Sequence, residues 1–166
     1  MVNKKKSIPV FLVVMWLLLY VPLTHADIHD RVVAFVDNQA ITLSEFEEQY
    51  TSTLKLSPQI SKEEVLNTMI NRILLLKEAR KYRIEAPTRE EVLNEYINLK
   101  VRAFIRVSDA AAEAFYKENT AQFAGREYET VRGEIENYLT EKMLNDRLKE
   151  ILRDLRKTSY IRIQLK

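Results

Sequence analysis

Residues 61–82, SKEEVLNTMINRILLLKEARKY, constrain the fold more than any other stretch. Ser61 and Glu64 have the spacing of a capping box, which predicts a helix start. Val65, Leu66, Met69, Ile70, Ile73, Leu74, Leu75 and Leu76 then fall on more than one helical face. A surface helix carries one apolar stripe, whereas a helix apolar nearly all round is buried. On length alone the segment would span a membrane. Asn67, Asn71, Arg72, Lys77 and Glu78 make that costly. The stretch therefore reads as the central core helix of a small helical domain, and the other segments must supply its covers.

Before it, RVVAFV (31–36) is β-branched and apolar on both faces, the pattern of a short covered strand. Asp37-Asn38-Gln39 is a turn sequence without the usual glycine. Ala40-Ile41 can return as a strand stub. Thr42 and Glu45 form a second capping box, with Ile41 and Phe46 at the positions of a hydrophobic staple. The helix they open is predicted over Leu43–Leu54 and ends at Ser57-Pro58.

After it, Pro87 stops any continuing helix. Thr88 and Glu91 form a third capping box, opening a helix predicted from Arg89 to about Ile105. Val107-Ser108-Asp109 starts an alanine-rich helix to Glu118, and Ala124-Gly125-Arg126 breaks the chain again. Tyr128–Lys157 reads as one long helix with Val131, Ile135, Leu139 and Met143 at i+4 steps. Leu144, Leu148, Ile151, Leu152 and Leu155 continue that stripe. Gly133 weakens it locally by about 1 kcal/mol. YIRIQLK (160–166) alternates as a half-buried strand, with Ile161, Ile163 and Leu165 on one face. Neither terminal strand can satisfy its backbone alone. The expected fold is therefore mainly α, with a small β element in which 31–36 pairs with 160–165. The same pairing between two chains would make a homodimer.

Residues 1–26 differ in kind from the rest. Lys4, Lys5 and Lys6 precede an apolar run through residue 23, and Thr24-His25-Ala26 offers a cut between Ala26 and Asp27. That is the layout of a secretory signal peptide followed by one domain over 27–166. An uncleaved membrane anchor is the other reading, and contact with a membrane is expected only in that case. Cleavage removes three lysines and no acid, turning a formal charge of +2 into −1. The basic pI near 8.7 thus belongs largely to the leader. A mixed-sign, near-neutral surface argues against nucleic acid as a partner.

Several chemistries are excluded by residue type. The chain has no cysteine, and His29 is the one histidine after the leader. Histidine acid–base pairs, Cys–His nucleophiles and zinc sites of the usual ligands have no residues to build them. There is no glycine-rich phosphate loop and no other cofactor motif. The paired glutamates Glu47-Glu48, Glu63-Glu64 and Glu90-Glu91 sit in first turns, where capping and the helix dipole account for them. The chain is not expected to be an enzyme.

The order of parts carries a resemblance. A leader, DRVVAFVDNQAITLSEFEEQ, a helix ending LLLKEARKYRI, VSDAAAEAFYKENTAQF, a long charged helix and a terminal YIRIQL follow one another. This resembles the N-terminal domain of SurA and related periplasmic chaperones with parvulin-type prolyl isomerase domains, over about Asp30 to Lys166. In that family the isomerase domain is inserted between the VSD-type helix and the long helix. Here the chain passes from Phe123 through Gly125 directly into the long helix, so the parvulin insert is absent near 124–127.

The resemblance implies a periplasmic, ATP-independent chaperone without isomerase activity or cofactor. Its partners would be unfolded or nascent outer-membrane and secreted proteins. Phe104, Phe115, Tyr116, Phe123 and Tyr128 cluster in sequence around the missing insert. They either form an exposed apolar patch for extended chains or fill the core between the last helices. A non-catalytic adaptor of the cell envelope, binding one folded partner or itself, is the alternative function.

Overall fold

The computed structural model describes residues 30–165. The predicted leader with its Ala26–Asp27 cut, and Lys166, lie outside them. Within them the protein is mainly helical with one small antiparallel sheet. Strand β1 (Val32–Val36) and β2 (Gln39–Thr42) form a hairpin. Helices α1 (Leu43–Leu56), α2 (Lys62–Lys81), α3 (Arg89–Lys100), α4 (Asp109–Glu118) and α5 (Tyr128–Thr158) follow, and β3 (Ile161–Ile163) closes the chain.

All three predicted capping boxes are formed. Thr42, Ser61 and Thr88 each accept from the backbone N–H three residues on, and Glu45, Glu64 and Glu91 reach back to the cap N–H. The hydrophobic staple also closes, with Ile41 and Phe46 both buried. Helix α2 ends earlier than Pro87 requires. Arg83 takes a left-handed φ of 54°. Its N–H donates to the Arg80 carbonyl and the Ile84 N–H to that of Ala79. This is a Schellman closure built on arginine instead of glycine. Helix α3 is shorter than predicted. It stops at Lys100, and Arg102–Phe104 forms a separate 3-10 turn around buried Val101.

Most of the apolar surface of α2 is occupied, with Met69 and Ile73 left half-buried. Val65, Leu66, Ile70 and Leu74 pack with Val33, Ala34, Val36, Ile41 and Phe46 of the hairpin and α1. Leu75, Leu76 and Ala79 pack with Leu93, Tyr96 and Leu144 of α3 and α5. Leu152 and Leu155 of α5 touch both groups. The polar residues of α2 serve as ties between elements. Asn67 and Asn71 accept from the Arg156 guanidinium of α5 at 3.0 and 2.9 Å. Arg72 pairs with Glu90 at the start of α3, and Lys77 pairs with Asp37 in the β turn at 2.6 Å.

The two ends of the domain do meet. Strand β1 is central, in the order β2-β1-β3, and both neighbours run antiparallel to it. A bulge near Val33 turns both Val33 and Ala34 into the core. Asp37 fastens the junction. It adopts φ 51°, a conformation aspartate tolerates better than most residues. Its N–H donates to the Tyr160 carbonyl at 2.8 Å, and one carboxylate oxygen accepts the Tyr160 N–H at 2.8 Å. The other oxygen holds Lys77. The Gln164 N–H extends the pairing to the Val33 carbonyl at 2.7 Å. Ile163 departs from the expected alternation. Ile161 and Leu165 pack on the core, but Ile163 is 51% exposed.

The hydrogen bond from Lys77, followed by that from the Tyr160 N–H, holds the Asp37 carboxyl below its ordinary value of 3.8. A carboxyl depressed on folding adds stability above its unfolded pKa and loses it as pH falls through the folded value. Asp37→Ala should cost about 2 kcal/mol, from lost charge-assisted hydrogen bonds and a poorer left-handed residue. Asp37→Asn, which keeps an acceptor for Tyr160, should cost less. Its urea midpoint should fall less than that of the parent below pH 4.

Candidate functional site

Helix α5 organises the second half of the domain. At about 1.5 Å per residue it runs roughly 45 Å, longer than a small core is wide. Its C-terminal half covers α2 and α3. Its N-terminal third carries a separate small core with α4, made of buried Ala112, Val131 and Ile135. Ser108 caps α4 by accepting from the Ala111 N–H. Arg132 of α5 ties the same end through Asp109 at 2.5 Å.

Four of the five aromatics singled out in the sequence come together on this small core. Phe115 meets Phe123 edge-on, with ring centres 6.4 Å apart. Tyr116 lies 5.3 Å from Phe123 and 5.6 Å from Tyr128. All four are half-buried. The Tyr116 hydroxyl donates to the Arg126 carbonyl at 2.8 Å. Among the described residues the buried Tyr128 hydroxyl has no hydrogen-bond partner, and burial raises its pKa. Successive left-handed residues, Ala124 and Gly125, turn the chain from the Thr120–Phe123 3-10 turn into α5. Only glycine takes that conformation without a steric cost.

Phe104 stands apart from these four. The 3-10 turn after α3 leaves it 77% exposed, while Val101 below it is buried. Arg102, two residues before it, pairs with Glu141 of α5 at 2.5 Å. That hydrogen bond raises the arginine pKa and lowers the glutamate's. Phe104, Val101 and Ile105 face Met143 of α5 across an open groove of about 410 Å³. Lys100, Asp146, Arg147 and Glu150 border it, so both signs of charge ring an apolar floor.

Sequence reasoning missed Met143 and Tyr138 as surface groups. Each i+4 step advances about 40° beyond a full turn. Three such steps from Val131 place Met143 about 120° away from the buried face. The core line instead passes to Leu144, which is buried, while Met143 is 43% exposed. Tyr138 is 54% exposed and its ring lies 5.1 Å from that of Phe115. The angular drift was the available clue.

The site offers contact surface and little acid–base chemistry. Tyr96, behind the groove, is pushed up to about 12 by burial, then by the Glu78 charge and Tyr82. It stays protonated at neutral pH. Lys100 lies over the Tyr82 ring at 4.3 Å, a cation–π contact. No helix of the described residues is long and apolar enough to cross a membrane. The chain matches no known protein-family model, and no curated protein is significantly similar to it.

Exposure separates the roles of the aromatics. Phe104→Ser should change stability by no more than about 0.5 kcal/mol, as for other surface positions. Phe115→Ala should cost about 2 kcal/mol, below the range for a fully buried ring. Thermal unfolding of the two variants checks this. Equal losses would mean that Phe104 is part of the core.

Proposed function

We propose that this protein is a SurA-like periplasmic chaperone module that holds unfolded or partly folded envelope proteins and has no isomerase domain. On this reading residues 1–26 are a cleaved signal, and no cofactor or ATP is required. The observation that carries the reading is Phe104 beside Met143. An exposed ring and a flexible thioether line one groove, the combination found at surfaces that accept varied apolar segments. The ring of mixed charges keeps such a surface soluble and tolerant of either charge in the bound chain. The order of elements, closed by a last strand beside the first, supports the resemblance from which the proposal began.

The adaptor reading has an observation of its own. Tyr160, just before the outer strand β3, and Ile163 on it are 61% and 51% exposed. An open edge with apolar side chains suits self-association. The chaperone reading is preferred because the Phe104 groove needs no second copy to be complete.

Residues 27–166, purified, should suppress the aggregation of an unfolded outer-membrane protein diluted from urea, at modest molar excess. Phe104→Ser with Met143→Ser should weaken suppression while leaving the melting temperature unchanged. Lack of suppression across a full titration would reject the chaperone reading. A single stoichiometric folded partner in its place would favour the adaptor. Prolyl isomerisation of a model peptide should stay at the uncatalysed rate.

A further inference from the structure

A second groove shares no residue with the Phe104 surface. It encloses about 640 Å³ beside β2, between α1, α2 and the first residue of α3. Ile41, Met69 and Ile73 form its apolar floor. Its α1 side carries Glu45 and Glu48; its α2–α3 side carries Arg72 and Arg89.

The sheet presents an edge to this groove. Val33 of β1 and Asp37 just after it bond to Gln164 and Tyr160, which flank β3, and Phe35 stands opposite Arg162 in the same register. Backbone directions alternate along a strand, so Ala34 and Val36 bond towards β2. They stand opposite Ile41 and Gln39. Ala40, opposite Phe35, is therefore a non-hydrogen-bonded position of the hairpin. Its N–H and C=O point away from β1, to the outer edge and the groove that Ala40 helps to line. Ile41 turns into the core and Ala40 away from it.

The geometry points to a strand-addition site at Ala40 for an extended peptide segment with alternating apolar side chains. The residue opposite Ala40 exchanges two backbone hydrogen bonds with it. The side chains on either side of that residue enter the groove over Met69 and Ile73. Arg72 is already paired with Glu90, so Glu48 on one side and Arg89 on the other favour segments with charges of opposite sign at their two ends. This rests on the reading that the protein holds unfolded envelope chains, and it names the kind of segment held.

The test uses the ¹⁵N-labelled protein and a synthetic decapeptide of alternating valine and threonine, with lysine at one end and aspartate at the other. Saturating peptide should slow hydrogen exchange of the Ala40 amide at least about tenfold, the order expected of one new hydrogen bond. The Phe35 amide, already paired inside the sheet, should not change. Backbone N-methylation of the peptide should abolish the effect. Ala40→Pro removes only an outward donor, which an edge strand tolerates, and should weaken binding about tenfold. Gln49→Trp, which fills the groove from its rim, should weaken binding without touching the strand. Peptide binding that leaves Ala40 exchange unchanged, or equal affinity in the proline variant, would overturn the assignment. So would Ala40 protection that rises with protein concentration alone, since a second copy would then occupy the edge. If the parent protein suppresses aggregation but binds no such peptide, this site is wrong and the chaperone reading stands. If Ala40 is protected by peptide yet suppression is absent, the chaperone reading fails and the strand site remains.

Discussion

Covering the apolar core of α2 is the constraint on which the rest of the structure depends. An apolar helix in water is unstable until each face meets a partner. One partner is the β1–β2 hairpin with α1, another is α3, and the last is α5. The final cover comes from the far end of the chain, so the domain cannot be completed locally. Asp37 makes that long-range closure specific. Its backbone and carboxylate together bind the Tyr160 peptide, and the same carboxylate reaches Lys77 on α2. One residue thus joins the hairpin, the core helix and the last strand.

The length of α5 has a second consequence. A helix long enough to close the core over α2 extends beyond it. The overhang holds α4 and the small aromatic core. Phe115, Tyr116, Phe123 and Tyr128 are engaged in stabilising that overhang. Phe104, on the turn leading towards it, is left open beside Met143. The proposed contact surface therefore sits where α3 ends and α5 runs on, separate from the packing of α2.

Much of this was legible in the sequence because the information is local. Three capping boxes, each a hydroxyl and a glutamate three residues apart, marked three helix starts that the structure reproduces. Period-two and β-branched patterns marked the strands, and the need to satisfy two isolated edges predicted their pairing. What was not legible depended on tertiary geometry. The Schellman closure at Arg83 uses a residue with no glycine-like mark. The end of α3 at Lys100 follows from burying Val101 after a change of helix type. Met143 was read as core because i+4 steps look regular in the sequence while rotating around the helix. The division of five aromatics into a packed set of four and an exposed Phe104 was likewise hidden, since all five stand near one break in the chain.

The most direct test of this account is native-state hydrogen exchange as a function of denaturant. If the last strand is integral to covering α2, the amides of Asp37 and Gln164 open only with the Leu74 amide in the helix core. Their exchange free energies should then converge with that of Leu74 as denaturant rises, with the slope of global unfolding. If Asp37 and Gln164 exchange by a denaturant-independent local opening while Leu74 stays protected, the closure is a surface contact and the central claim is wrong.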